Sequence, residues 1–210
     1  MLHYETIEPH TLDLLKRIQA RDEFAETRLV GGTALALQLG HRVSVDLDLF
    51  GSWPEGTNIA SVFSSIGTAE KSSATPDGKM QFYYVDDIKV DCVTYDMFPW
   101  LMPAVCEDGV RLASVSDIAA MKINAITNRG TRKDFVDLYF LLSRYSFGDL
   151  MLLYHRKYSE ANDALTLRSM VYFVDAEAQP MPRMLVPFDW EDCKKTISAA
   201  VRDFVMSVQS

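Results

Sequence analysis

Two stretches of the sequence decide the fold: Leu29-Val30-Gly31-Gly32-Thr33-Ala34-Leu35 and His41-Arg42-Val43-Ser44-Val45-Asp46-Leu47-Asp48-Leu49-Phe50. The second stretch predicts a strand over residues 43–50, because polar and apolar residues alternate along it. Since successive strand side chains point to opposite faces, Asp46 and Asp48 are expected to project together. The apolar residues that separate and flank them are expected to project the other way.

Asp46 and Asp48 are predicted to bind a metal ion. Two neighbouring carboxylates repel each other, and a divalent cation removes that conflict. Oxygen donors without nitrogen or sulfur favour a hard ion such as Mg²⁺. Upstream, Gly31, Gly32 and Thr33 are expected to offer main-chain amides where a helix begins, which is a favourable place for phosphate. Carboxylates for metal and amides for phosphate are together suited to a nucleoside triphosphate (NTP).

A third carboxylate is predicted at Asp91. The turn signal Asp86-Asp87 joins two alternating runs, 80–85 and 88–95, into an antiparallel hairpin. Asp91 interrupts the second run, and a carboxylate inside an apolar strand is costly unless it is paired, protonated or metal-bound. If this strand lies beside the Asp46 strand, the three acids converge on two Mg²⁺ ions, with Asp91 as ligand and candidate base. The alternative is an edge-strand aspartate that faces water.

Composition limits the class of protein. The chain has 210 residues, of which 48% are hydrophobic and 24% charged, as in ordinary globular proteins. The three cysteines form no Cys-x-x-Cys pair, which favours reduced thiols in a cytoplasmic protein over a zinc site or a disulfide framework. The sequence shows no signal peptide and no apolar run long enough to span a membrane, so no membrane partner is expected.

The pattern of elements predicts an α+β protein. Residues 1–110 are expected to form a mixed sheet with flanking helices, including helices over 11–20, 33–39 and 58–66. Residues 111–210 are expected to be mainly helical. Their last helix would be capped by Asp189.

Charge is distributed unevenly between the two parts. Residues 1–121 contain 9 Lys or Arg and 18 Asp or Glu, whereas residues 122–210 contain 12 and 11. This asymmetry fits a solvated surface, or a second part that faces an anionic substrate. A basic cluster comprises Lys122, Arg129, Arg132, Lys133 and Arg144. It could bind polyphosphate, or it could be a solvated helix face with local ion pairs such as Lys133–Asp137.

The motif order resembles that of known enzymes. Gly-Gly, then Asp-x-Asp, then a later strand aspartate resembles the nucleotidyltransferases of the DNA polymerase β superfamily. The closer resemblance is to the AbiEii/AbiGii-type nucleotidyltransferases, the toxins of type IV toxin–antitoxin systems. It rests on residues 31–50, Asp91 and residues 117–138, and it spans roughly residues 28–145.

The resemblance implies a function and a set of roles. It implies Mg²⁺-dependent transfer of a nucleotide from an NTP to an acceptor, which in some relatives is a tRNA 3′ end, and a cognate antitoxin. It implies a nucleotidyltransferase core over 1–110 and a helical domain over 111–210, in which Lys122 contacts the triphosphate and Asp134 completes the catalytic set. Arg42 either binds phosphate or braces Asp46 or Asp48. The predicted nucleotide-binding residues are Gly31, Gly32, Thr33, Arg42, Lys122, Arg129 and Lys133.

Two other functions fit parts of the sequence. A non-catalytic protein on the same scaffold could bind nucleotide or a partner without turnover, although the full set of carboxylates disfavours it. Asp-Leu-Asp could also be the nucleophile motif of a haloacid-dehalogenase-like phosphatase. That motif normally continues with Thr or Val, whereas Leu49-Phe50 follows here.

Overall fold

The computed structural model describes residues 1–208 and divides the chain into two compact units. The first comprises Met1–Pro99 and Pro103–Ser114, and the second comprises Trp100–Met102 and the chain from Val115 onward. The division follows Ser114, a few residues beyond the boundary predicted at residue 110. The functional division into 1–110 and 111–210 stays a prediction, and its last two residues lie outside the described part of the chain.

The first unit is built on a mixed sheet of seven strands with the order β3-β4-β5-β2-β1-β7-β6. β2 runs parallel to β5 and β1 runs parallel to β7, and the other neighbouring strands are antiparallel. The strands are β1 (Thr27–Leu29), β2 (Leu47–Gly51), β3 (Ala69–Ala74), β4 (Met80–Val85), β5 (Ile88–Thr94), β6 (Val105–Glu107) and β7 (Val110–Leu112). This sheet and its helices confirm the predicted α+β class.

Three α-helices accompany the sheet. They are α1 (Pro9–Gln19), α2 (Gly31–Leu39) and α3 (Ile59–Ser64). The apolar residues of α1 and α2 are buried together with the inward residues of β2 and β5, because their spacing matches the helical and strand periods. α2 ends at Gly40, whose φ of +71° is the left-handed conformation that glycine adopts without strain.

The predicted hairpin is confirmed. β4 and β5 pair through Val85 and Ile88, and both residues of the turn have positive φ, 48° for Asp86 and 65° for Asp87. Aspartate tolerates this conformation better than most residues. Asp86 also accepts a hydrogen bond from the Thr68 amide at 2.8 Å and pairs with Arg17 at 3.1 Å. The position of the turn is therefore fixed by side-chain contacts as well as by backbone preference.

The second unit is helical, as expected. Its helices are α4 (Val115–Asn128), α5 (Arg132–Leu142), α6 (Phe147–Lys157), α7 (Asp163–Met170), α8 (Val174–Glu177) and α9 (Trp190–Val208). The carboxylate of Asp189 accepts a hydrogen bond from the Asp192 amide at 2.7 Å, which confirms its predicted capping role. None of the helices within residues 1–208 combines the length and the apolar character needed to cross a lipid bilayer.

Candidate active site

The first unit places Asp48 and Asp91 side by side. β2 and β5 are parallel neighbours, and their register sets Asp48 opposite Asp91. Residues opposite each other on adjacent strands point to the same face at a spacing of about 4.8 Å. Leu47 and Leu49 are fully buried on the other face. The condition for the carboxylates to converge, a strand with Asp91 directly beside the Asp-Leu-Asp strand, is therefore met for this pair.

Asp46 reaches the region from a loop, not from the strand that the sequence predicts over 43–50. β2 begins only at Leu47, so strand alternation does not orient Asp46, and Val45 is 56% exposed instead of sharing the buried face. The Thr33 hydroxyl donates a hydrogen bond to the main-chain oxygen of Asp46 at 2.5 Å, and it lies 2.9 Å from the Ser44 hydroxyl, from which it can accept one. These contacts position the loop against the first turn of α2.

Gly31 and Gly32 let this turn of α2 approach the carboxylates. The helix begins at Gly31, two residues earlier than predicted, and Gly31 has a φ of +68°. A Cβ atom on Gly31 would overlap the Asp48 carboxylate, and one on Gly32 would overlap the Arg42 guanidinium. The first amides of a helix have no partner within that helix and carry its positive dipole end, so this turn is suited to an anion.

Gly31→Ala is therefore expected to lower the free energy of unfolding by more than backbone strain alone would. Gly78 provides the matched control, since its φ is +70° but nothing lies within 4 Å of an added Cβ. Strain should cost each variant about 1–2 kcal/mol in the free energy of unfolding, and the collision with Asp48 adds to the loss only in Gly31→Ala. Urea unfolding of both variants measures the difference, and equal losses would contradict the close approach to Asp48.

Arg42 is placed inside the fold. The residue is 2% exposed, its guanidinium lies against Gly32, and its Nη1 donates to the main-chain oxygen of Val43 at 3.1 Å. This burial favours the bracing role among the two roles predicted for Arg42. The phosphate contact stays a prediction.

Lys89 belongs to the same region, although the sequence did not single it out. Its ammonium donates to Asp91 Oδ2 at 2.6 Å. Partial burial lowers the pKa of Lys89, but the hydrogen bond to Asp91 and the attraction of Asp91, Asp48 and Asp46 outweigh it, so the pKa is raised. All three aspartates thus act on one cation. The sequence could have identified Lys89 by its spacing of two residues from Asp91, because residues two apart on a strand lie on the same face.

The carboxylates fit a divalent metal ion in their chemistry. Within residues 1–208, no three His, Cys, Asp or Glu side chains lie close enough together to enclose a metal ion. Asp91 Oδ1 is nevertheless buried, and no described residue gives it a hydrogen bond. An oxygen donor of this kind, beside the Asp48 carboxylate, suits a hard cation. Metal binding by Asp46, Asp48 and Asp91 together therefore stays a prediction.

The second unit contains a buried ionic network around Lys122. Its ammonium lies 2.8 Å from Asp134 Oδ1 and 2.6 Å from Asp137 Oδ2, and both carboxylates are fully buried. Asp134 also accepts from Arg129 Nε at 3.2 Å and from the Thr131 hydroxyl at 2.5 Å. Asp137, which the alternative prediction pairs with Lys133, thus lies against Lys122.

Asp134 combines two structural tasks in this network. Burial raises its pKa, but the charges of Lys122 and Arg129 and the hydrogen bonds from Lys122 and Thr131 outweigh it, so the pKa lies well below its usual range. Asp134 is therefore ionised in the folded protein. With Thr131 it also forms the capping box at the start of α5.

The predicted roles of the basic residues in this unit stay predictions. Lys122 is held by two buried carboxylates, and its contact with a triphosphate is the role that the family resemblance implies. The Arg129 side chain is 61% exposed and Lys133 is exposed, so both are accessible to an anion. A second buried pair, Lys157 with Asp117 at 2.8 Å, has no counterpart among the predicted site residues.

Comparison with known proteins assigns the family. The model of the AbiEii nucleotidyltransferase toxins of type IV toxin–antitoxin systems matches residues 13–208. The chain belongs to this family of nucleotidyltransferase toxins. An uncharacterised protein of Aquifex aeolicus, aq_aa25, is 28% identical over 187 residues, which is 84% of this chain and 87% of that protein.

Solved structures share the fold. JHP933 from Helicobacter pylori has a TM-score of 0.55 and 18% identity, over 97% of this chain and 95% of that one. A second Helicobacter pylori protein, whose assignment as a nucleotidyltransferase is provisional, has a TM-score of 0.59 and 20% identity, over 96% and 97%. MenT4, a nucleotidyltransferase toxin from Mycobacterium tuberculosis, has a TM-score of 0.54 and 16% identity, over 90% of this chain and 80% of that one.

Proposed function

We propose that this protein transfers a nucleotide from an NTP to an acceptor such as a tRNA 3′ end, with Mg²⁺ as cofactor. The observation that carries the proposal is the register that sets Asp48 opposite Asp91 beside the first turn of α2. In the proposal, Asp46, Asp48 and Asp91 hold two divalent ions. The first amides of α2, at Gly31, Gly32 and Thr33, bind phosphate oxygens.

The reaction needs one bond to form and one to break. The acceptor hydroxyl oxygen bonds to the α-phosphorus of the NTP, the bond from that phosphorus to the bridging oxygen breaks, and pyrophosphate leaves. Bound divalent ions would neutralise the triphosphate charge and lower the pKa of the acceptor hydroxyl. Asp91, whose Oδ1 has no donor among residues 1–208, is the candidate to take the hydroxyl proton.

The proposal includes a biological setting. The family implies toxicity and an antitoxin partner, and the cytoplasm is the compartment where NTPs and RNA acceptors meet. The sequence as a whole is acidic, with a net charge of −8, so an RNA acceptor must be bound by a local basic surface and not by overall charge. Exposed Arg129 and Lys133 are the residues of the predicted set that could contribute to one.

A transfer assay tests the proposal. Purified protein is incubated with each labelled NTP and bulk tRNA, with Mg²⁺ or with EDTA, and label on RNA is measured. We expect Mg²⁺-dependent labelling of tRNA 3′ ends, and growth arrest when the protein is expressed. Absence of labelling with every NTP, together with NTP binding that is equal with and without Mg²⁺, would contradict the proposal and support the non-catalytic alternative.

A further inference from the structure

The carboxylates of the first unit already have a positive charge close to them. Lys89 Nζ lies 2.6 Å from Asp91 Oδ2, and Asp91 Oδ1 accepts no hydrogen bond from any described residue. One oxygen of Asp91 is thus committed to the lysine, and the other is left for a different ligand. The Asp91 side chain is 14% exposed, so little water competes for it.

The geometry explains why a lysine occupies position 89, beside these carboxylates. Lys89 and Asp91 are two residues apart on β5 and therefore project from the same face, next to Asp48 on β2. Negative charges placed side by side on a sheet destabilise it, and a cation on the same face offsets them. The ammonium group is on a flexible chain and is 41% exposed, so it can withdraw without unfolding the strand.

We propose that Lys89 is the internal counter-cation of Asp48 and Asp91, and that it competes with divalent ions for them. This inference rests on the proposed function, in which these carboxylates bind metal. Lys89 stabilises the sheet when no divalent ion is bound and lowers the affinity for such ions. It is a positioning residue for the site, because it acts through Asp91.

Titration with Mn²⁺ tests this competition in the absence of nucleotide. Lys89→Met should bind Mn²⁺ about three- to tenfold more tightly than the wild type, as expected for removal of one like charge at a partly exposed site. Lys89→Arg keeps the charge and should stay close to the wild-type affinity. Electron paramagnetic resonance of free Mn²⁺ gives the dissociation constants without any activity measurement.

Thermal unfolding provides the second readout. Without metal, Lys89→Met should melt at a lower temperature than the wild type, because Asp91 Oδ2 loses its donor. Addition of Mg²⁺ should raise its melting temperature by more than it raises that of the wild type. Lys79→Met is the matched control, since Lys79 is also 41% exposed and pairs with an aspartate, Asp96, at 2.9 Å.

The possible results separate this inference from the proposed function. Wild-type binding of Mn²⁺ with unchanged or weaker binding by Lys89→Met would overturn the inference and leave the metal-dependent function intact. A wild-type protein that binds no Mn²⁺ and gains no stability from Mg²⁺ would overturn both. Tighter binding by Lys79→Met as well would also overturn the inference, because the effect would then be one of overall charge.

Discussion

Asp48→Asn should reduce nucleotide transfer by about a hundred- to a thousandfold, the size of effect seen when one charged or hydrogen-bonding group is removed from a transition-state site. Asparagine has the shape of aspartate but lacks the charge that holds a divalent ion. The change also removes repulsion between Asp48 and Asp91, which are opposite each other in the sheet. We therefore expect the loss of activity without a loss of stability.

The measurement combines the transfer assay with thermal unfolding. Asp87→Asn is the matched control, because Asp87 is exposed in the hairpin turn and asparagine tolerates its φ of 65°. That variant should transfer nucleotide at the wild-type rate. If Asp48→Asn kept its activity within about tenfold of the wild type, well short of the loss expected of a group that stabilises the transition state, the assignment of Asp48 as a metal ligand would be wrong.

Lys122→Met should destabilise the protein by about 3–5 kcal/mol, the range for breaking a buried ion pair from one side. Methionine preserves most of the side-chain volume, but Asp134 and Asp137 are both fully buried and would lose their shared cation. Arg129 still pairs with Asp134 at 3.2 Å, but its side chain is largely exposed to water and replaces only part of the charge that both carboxylates lose. The effect should appear as a large fall in the urea midpoint.

Two further variants make the test of Lys122 specific. Lys133→Met, on the exposed side of α5, should change stability by less than about 0.5 kcal/mol. Combining Lys122→Met with Asp137→Asn should recover part of the loss, because the pair is then removed from both sides. If Lys122→Met abolished transfer without destabilising the protein, Lys122 would act on the triphosphate and not mainly in the buried network.

The parts of the site with local sequence signals were predictable. The hairpin followed from Asp86-Asp87 between two alternating runs, and Asp91 was recognisable as a candidate site residue because it interrupts an apolar strand. The pairing of that strand with the Asp48 strand was only a condition of the prediction, which the register of β2 and β5 meets. Asp189 was recognisable as a helix cap from its position before the last amphipathic run. The physical causes are turn conformation, side-chain alternation and helix capping. Each of them acts over a few neighbouring residues.

The remaining parts depend on contacts between distant residues. β3 was not predicted because its residues are mostly exposed and do not alternate, and β6 and β7 contain only three residues each. The strand with the aspartates was predicted too long. Residues 43–46 alternate like a strand, but they form a loop that a hydrogen bond from Thr33 to Asp46 positions, and they do not pair with the sheet. The pair of Asp117 with Lys157 joins residues forty positions apart, for which the sequence offers no signal.

The parallel register of β2 and β5 has a consequence for changes in chain length. Asp91 is flanked by Val90 and Cys92, both buried on the opposite face of β5. Deleting or inserting one residue between the turn and Asp91 would turn the carboxylate toward the apolar interior and a hydrophobic group toward Asp48. Selection should therefore preserve the length of this segment as strictly as the identity of the acid.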